Sequence, residues 1–146
     1  MHIYNKPFET LTTTELYELL QLRSEVFVVE QDCVCQDIDG KDQKAQHVLG
    51  RRDGKIVACT RIFDAGHYFK HASIGRIVVS KAFRGYGYGH DIVNASIQAI
   101  HAIFEKEIIE MSAQKYLITF YEVHGFKQTG KSYLEDGIPH VRMLRA

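Results

Sequence analysis

Ser80-Lys81-Ala82-Phe83-Arg84-Gly85-Tyr86-Gly87-Tyr88-Gly89-His90-Asp91 lies between the apolar run Ile74-Gly75-Arg76-Ile77-Val78-Val79 and an amphipathic run from Ile92 to Phe104. An apolar run, a glycine-rich stretch and an amphipathic run, in that order, predict a strand, a turn and the start of a helix. Glycines alternating with large residues let backbone N–H groups converge on one concave space. The helix N-terminus behind them adds a partial positive charge of about half a unit. Together these features predict a seat for phosphate.

Loops that hold phosphate at such a turn differ in their side chains. A P-loop requires Gly-x-x-x-x-Gly-Lys-Ser/Thr, and Gly85 to Gly89 lacks both the lysine and the hydroxyl, which excludes it. A dinucleotide fingerprint requires Gly-x-Gly-x-x-Gly; Gly85 and Gly87 fit its first half, but His90 occupies the third glycine position. Glu105 lies at a helix end rather than at the tip of the next strand, which disfavours that reading further.

Moving outward, Thr12-Thr13-Thr14-Glu15 has capping-box spacing, and Leu16, Leu19, Leu20 and Phe27 recur at helical intervals after it. Arg23 falls on that stripe, so its guanidinium is either paired internally or faces a cleft. From Val28 to Asp42 the chain is acidic and aperiodic, which predicts a loop or a broken second helix. His47 to Arg51 and Lys55 to Phe63 predict a hairpin across Asp53-Gly54. After the Ile92–Phe104 helix come a short strand over Glu107–Ser112, a helix from Lys115 to His124 stopped by Gly125, and a hairpin across Asp136-Gly137. A short edge strand near Ile3 completes the order β-α-(α)-β-β-β-α-β-α-β-β.

With 146 residues the chain suits one domain, 1–146, within the usual range of roughly 100–200 residues. Lys plus Arg equals Asp plus Glu at 18 each, so no global field draws the protein to nucleic acid or to an anionic membrane. Neither a leader pattern nor a run of about 18 apolar residues is present, and a cytoplasmic setting is the simplest expectation. Cys33, Cys35 and Cys59 form no disulfide or metal framework; they read as reduced thiols, and no metal is expected.

Arg84-x-x-Gly87-x-Gly89, following a strand that ends in Val79, resembles the pyrophosphate loop of the GNAT acetyltransferases. Phe120-Tyr121-Glu122-Val123-His124-Gly125-Phe126 resembles the end of that family's last helix. Leu19 to Gln31, Gln36 to Gly40, Ile74 to Ser80 and Glu135 to His140 narrow the resemblance to the ElaA-type subgroup and cover most of the chain in order. The resemblance implies an α/β GNAT acyl-CoA N-acyltransferase fold: a mixed central sheet of about six to seven strands, flanked by helices, with splayed central strands. It implies transfer of an acetyl group from acetyl-CoA to an amine, directly in a ternary complex. A non-catalytic acyl-CoA sensor on the same fold is the alternative.

Carried over residue by residue, Arg84, Gly85, Tyr86, Gly87, Tyr88 and Gly89 would hold the pyrophosphate, and Ile77, Val78 and Val79 would meet the pantetheine arm through main-chain groups. Tyr121 matches the family's general acid, a phenol of pKa ~10 able to protonate a departing thiolate. An N–H near Val79 would be the oxyanion donor. Seven residues before the tyrosine, where many members carry Asn, this chain has Gln114, the same amide with one more methylene. The acceptor site is expected among the first helix, the loop after it and the last hairpin. Its candidates are Arg23, Glu30, Asp37, Asp39 and His47, with Arg76 and His140 as neighbours. The acceptor is a small amine or a peptide, and a homodimer is a possible assembly.

Overall fold

The computed structural model describes residues 1–146. The first helix starts where the capping box places it. The Thr12 side chain accepts from Glu15 N–H, and the Glu15 carboxylate accepts from Thr12 N–H, opening α1 (Thr13–Arg23). Glu15 also accepts from Tyr4 Oη at 2.8 Å and Lys6 Nζ at 2.9 Å, which ties α1 to strand β1 (His2–Pro7). Burial alone would raise the Glu15 carboxyl; Thr12, Lys6 and Tyr4 outweigh it and bring it down to about 2.

The chain does not break at Val28. Helix α1 continues in wider turns over Ser24–Glu30. These turns disrupt the 3.6-residue period, which is why Val26-Phe27-Val28-Val29 does not read as helix. Strands β2 (Gln46–Arg52) and β3 (Lys55–Phe63) pair through a turn in which Asp53 (φ 53°) and Gly54 (φ 77°) both adopt the left-handed conformation that a tight hairpin needs. Then follow β4 (Ala72–Val79), α2 (Tyr88–Ala99, continued in wide turns to Phe104), β5 (Ile109–Gln114), α3 (Ile118–Glu122), β6 (Lys127–Glu135) and β7 (Ile138–Arg145). Strand β5 starts later than the sequence pattern predicts and runs further, so Gln114 ends the strand rather than lying between it and the next helix.

The seven strands form one sheet in the order β1-β2-β3-β4-β5-β7-β6. Alternation decides which helix each residue meets. Val48 and Ala58 pack with Ile92, Val93, Ile97 and Ile100 of α2 and its continuation, while Leu49 and Cys59 pack with Leu19, Leu22 and Val26 on the other face. Both faces of the centre are thus covered, so Val48-Leu49 of β2 and Ile56-Val57-Ala58-Cys59 of β3 are runs of consecutive buried apolar residues.

One pairing is incomplete. Strand β4 meets β5 in parallel only at Ala72–Ile109 and Ser73–Glu110, and beyond these rungs the two strands diverge. Arg76 (φ 49°) sits in a bulge that shifts the β3–β4 register between Gly75 and Val78. A wedge therefore opens in the middle of the sheet.

Candidate functional site

The wedge is the floor of a cleft of about 490 Å³. At one end is the glycine-rich turn. Gly85 (φ 91°) and Gly87 (φ 77°) hold the left-handed conformation that side chains resist. Gly89 serves packing instead: a Cβ there would lie 3.2 Å from the Phe120 ring. The N–H groups of Gly85, Tyr86 and Gly87 donate to no carbonyl of the protein, and those of Tyr88, Gly89 and His90 are first-turn donors of α2. This is a built anion seat of main-chain donors at a helix N-terminus.

The β4 wall presents a further donor. Ser80 N–H donates to Val57 O at 2.7 Å, which makes Val57 and Ser80 a bonded pair of the β3–β4 ladder. Bonded and non-bonded pairs alternate, so Val79, opposite Ala58, turns its N–H away from β3 and toward the wedge. Val78, opposite Cys59, directs its own main chain to β3, and its side chain lies in the core under α1. Of these two residues, Val79 rather than Val78 offers the wedge a main-chain N–H. Ile77 lies at the bulge and lines the cleft.

Two pairs reach across the cleft from the end of the extended first helix. Glu30 accepts from both terminal nitrogens of Arg84 at 2.6 and 2.8 Å, and Arg84 Nε donates to Val79 O. Gln31 and Gln114 exchange side-chain amide hydrogen bonds at 3.3 and 3.5 Å. Glu30 and Gln114 are thus close to the donor end, with Glu30 engaged by the loop arginine.

Tyr121 comes from α3, a helix of little more than one turn, and its ring packs edge-on against those of Phe120 and Phe126. It is 5% exposed and lines the cleft, and its hydroxyl bonds to no protein group. Burial pushes the phenol well above its ordinary value, with Tyr116 adding to the effect. Tyr121 therefore remains a hydrogen-bond donor throughout the usable pH range.

At the other end of the cleft, residues 31–45 fold with no regular element except a single tight turn at Asp42–Lys44. Buried charge holds this loop in place. Arg23 Nε contacts Asp37 at 2.9 Å and Nη1 contacts Asp42 at 2.7 Å. Arg61 bridges Asp39 at 2.6 Å and Asp42 at 3.0 Å, and Arg76 Nε lies 2.8 Å from Asp37. Burial would raise the Asp39 and Asp42 carboxyls; Arg61 beside the first, and Arg23 beside the second, hold both well below the usual range. His47 Nε2 lies 2.9 Å from the Asp42 carbonyl, and burial lowers the imidazole.

This network corrects part of the sequence reading. Arg23 and His47, each 1% exposed, lie behind the loop and do not line the cleft. Tyr86 also falls outside it: its ring stacks on Tyr88 and lies under the Arg52 guanidinium on the outer side of the turn. The structure does bring together Glu30, Arg76, Ile77, Val78, Val79, Arg84, Gly85, Gly87, Tyr88, Gly89, Gln114, Tyr121 and His140 around one cleft. Sequence reasoning missed Asp42 and Arg61, whose signal was a lone arginine inside the apolar run of β3. It also missed Cys33, Cys35, Ser112 and Glu135 as cleft residues. All three cysteines are free; the Cys59 thiol is pushed up to about 12 by burial, and Cys35 to about 11 by Cys33 beside it. No group of three or more His, Cys, Asp or Glu is placed to hold a metal ion, and no helix is long and apolar enough to cross a membrane.

The sequence profile described as "Acetyltransferase (GNAT) domain" matches residues 11–145. Protein ElaA of Escherichia coli is 39% identical over 137 residues, covering 92% of this chain and 90% of ElaA. The crystal structure of an acyl-CoA N-acyltransferase from Pseudomonas aeruginosa superposes with a TM-score of 0.94 at 40% identity, covering 100% of both chains. That of E. coli ElaA superposes with a TM-score of 0.92, covering 99% of each. The open sheet, the anion-seating turn and these matches lead to one conclusion: the chain belongs to the GNAT acetyltransferase family, in the subgroup of ElaA.

Proposed function

We propose that the protein moves the acetyl group of acetyl-CoA to a primary amine of a small molecule or peptide by direct attack in a ternary complex. The observation that carries this is the continuity of the donor half: unpaired N–H groups from Gly85 to His90 lead onto the open edge of β4 at Val79 and end at the Tyr121 hydroxyl. The loop N–H groups would receive the pyrophosphate, and the strand edge the pantetheine amides. Gln114 would join the pantetheine contacts by opening its pair with Gln31.

In the reaction, the neutral amine nitrogen attacks the thioester carbonyl, whose oxygen gains charge and is stabilised by the Val79 N–H. The carbon–sulfur bond then breaks. Tyr121 gives its proton to the sulfur and regains one from the new amide nitrogen, so thiol and amide leave neutral. Because burial disfavours the tyrosinate, the two transfers are coupled rather than sequential. A covalent acetyl-cysteine route is disfavoured, since Cys59 is sealed in the core, Cys35 resists ionisation and the Cys33 thiol is directed at the Asp136 carbonyl rather than at a base. All groups used come from one copy of the chain, with residues 1–146 acting as one domain in the cytoplasm.

The test is thiol release from acetyl-CoA with a panel of primary amines, alongside calorimetric binding of acetyl-CoA. Release with any amine, reduced in Tyr121→Phe, supports the enzyme reading. Binding without release across the panel would instead make the protein an acyl-CoA sensor.

A further inference from the structure

The acceptor end of the cleft contains a side-chain cluster to which the donor chemistry assigns no role. Glu135 ends β6, Tyr133 lies two residues before it, His140 is opposite Tyr133 on β7, and Ser112 lies on β5. The Ser112 hydroxyl donates to Glu135 Oε1 at 3.0 Å and shares a short hydrogen bond with the Tyr133 hydroxyl. His140 Nε2 lies 3.4 Å from Glu135 Oε2. Ser112, Glu135 and His140 all line the main cleft, and Ser112 and Glu135 also line a second cavity of about 40 Å³ adjoining it. Glu135 thus stands where the two spaces meet.

Elimination and tautomer logic give this cluster a specific chemistry. Among the other cleft carboxylates, Glu30 is held by Arg84, Asp37 lies between Arg23 and Arg76, and Asp136, in the hairpin turn, has neither the hydroxyl nor the imidazole partner that Glu135 has. Glu135 has no arginine or lysine partner, and its side chain is 43% exposed toward solvent. His140 Nδ1 lies 2.7 Å from the Ile138 carbonyl, which can only accept, so Nδ1 carries a proton. In the neutral imidazole Nε2 is then a lone pair aimed at a carboxylate. Such a pair lacks one proton and has room for one.

We propose that Glu135 and His140 together are the proton acceptor for the acceptor amine, Glu135 facing the amine and His140 sharing the proton behind it. The inference rests on the amine-acetylation reading above. The incoming ammonium loses one N–H proton to Glu135 Oε2, where it is shared with His140 Nε2, and the freed lone pair attacks the thioester. The pair later returns that proton to water in the cleft. The second nitrogen proton follows the Tyr121 route, so one proton is released per turnover. Other groups facing the pair are Tyr133 on β6, Asp136 in the turn, Arg76 and Asp37 across the cleft, and Cys33 and Cys35 from the loop. Ser112 and Tyr133 are positioning residues that fix the carboxylate plane.

The experiment measures kcat/KM for thiol release with spermidine, kanamycin and a lysine-containing tetrapeptide across the neutral pH range. It compares wild type, Glu135→Gln, His140→Gln and the double variant, with acetyl-CoA affinity measured in parallel. A base of this kind contributes about 10²- to 10⁴-fold. Glu135→Gln is therefore expected to lower kcat/KM by about 100-fold or more with acetyl-CoA affinity unchanged. His140→Gln is expected to remove the rise of kcat/KM with pH, and the double variant to be little worse than Glu135→Gln. Wild-type kcat/KM in Glu135→Gln, or an unaltered pH limb in His140→Gln, would overturn the proposal while leaving acetylation standing. Absence of transfer to every amine by the wild type, with acetyl-CoA still bound, would overturn both.

Discussion

The two halves of the cleft are made from different materials. The donor half is main chain: the N–H groups of the 85–90 turn and the exposed edge of β4. The acceptor half is side chain, contributed by a loop, a hairpin end and a bulge, and stabilised by three arginines and three aspartates. Main-chain recognition depends on local conformation and serves any ligand with the same phosphates and amides. Side-chain recognition depends on tertiary placement and varies with the acceptor. The contrast places stability in one half and shared chemistry in the other.

The sharpest way to break this contrast is at Asp42. Asp42→Ala leaves Arg23 and Arg61 buried without their common partner, which costs about 3–5 kcal/mol. The melting temperature is expected to fall by roughly 10 °C while acetyl-CoA binding to the remaining folded protein changes little. If the donor half loses affinity equally, the halves are not separable. Gly87→Val acts in the opposite direction. A β-branched residue at φ 77° strains the turn by about 1–3 kcal/mol, and acetyl-CoA is expected to bind about 100-fold more weakly by calorimetry, with the Arg–Asp network intact.

Tyr121→Phe keeps the packing against Phe120 and Phe126 and removes the proton. A fall in kcat of about 100-fold or more with KM for acetyl-CoA preserved is expected from steady-state rates. Acidification separates the halves without mutation. Asp39 and Asp42 titrate below their unfolded values, so their contribution is complete above about pH 4 and is lost as the pH falls through the lower folded values. Amide exchange on residues 31–45 should accelerate below that pH before exchange in β2 and β3 does. The smallest effect belongs to Glu30→Gln, because a solvent-exposed pair with Arg84 is worth about 1 kcal/mol or less. A change of no more than a few-fold in KM for acetyl-CoA is expected.

The same contrast explains what could be read from the sequence. The strand, turn and helix around Arg84 to Gly89 are local features, and so are the Thr12–Glu15 capping box and the two Asp-Gly hairpins; each is written within a few consecutive residues. The acceptor half is written across separations of 14 residues for Arg23–Asp37 and 19 for Arg23–Asp42 and Arg61–Asp42. Charge pairing has no period, so the sequence leaves Arg23 open to either the interior or a cleft and admits His47 among the acceptor candidates. The interior was their place. The continuation of α1 to Glu30 was hidden for another reason: wide turns change the phase of the apolar stripe. Glu135 was concealed in a segment that the hairpin turn already explained.

The two rungs at Ala72–Ile109 and Ser73–Glu110 give the sheet a mechanical seam. On one side lie β1 to β4, each laddered to its neighbour; on the other lie β5, β7 and β6. The molecule resembles a pair of covers joined along a short spine. A ligand that hydrogen-bonds to both open edges acts as an extra length of that spine, and occupancy of the cleft would stiffen the whole sheet as well as fill a hole in it.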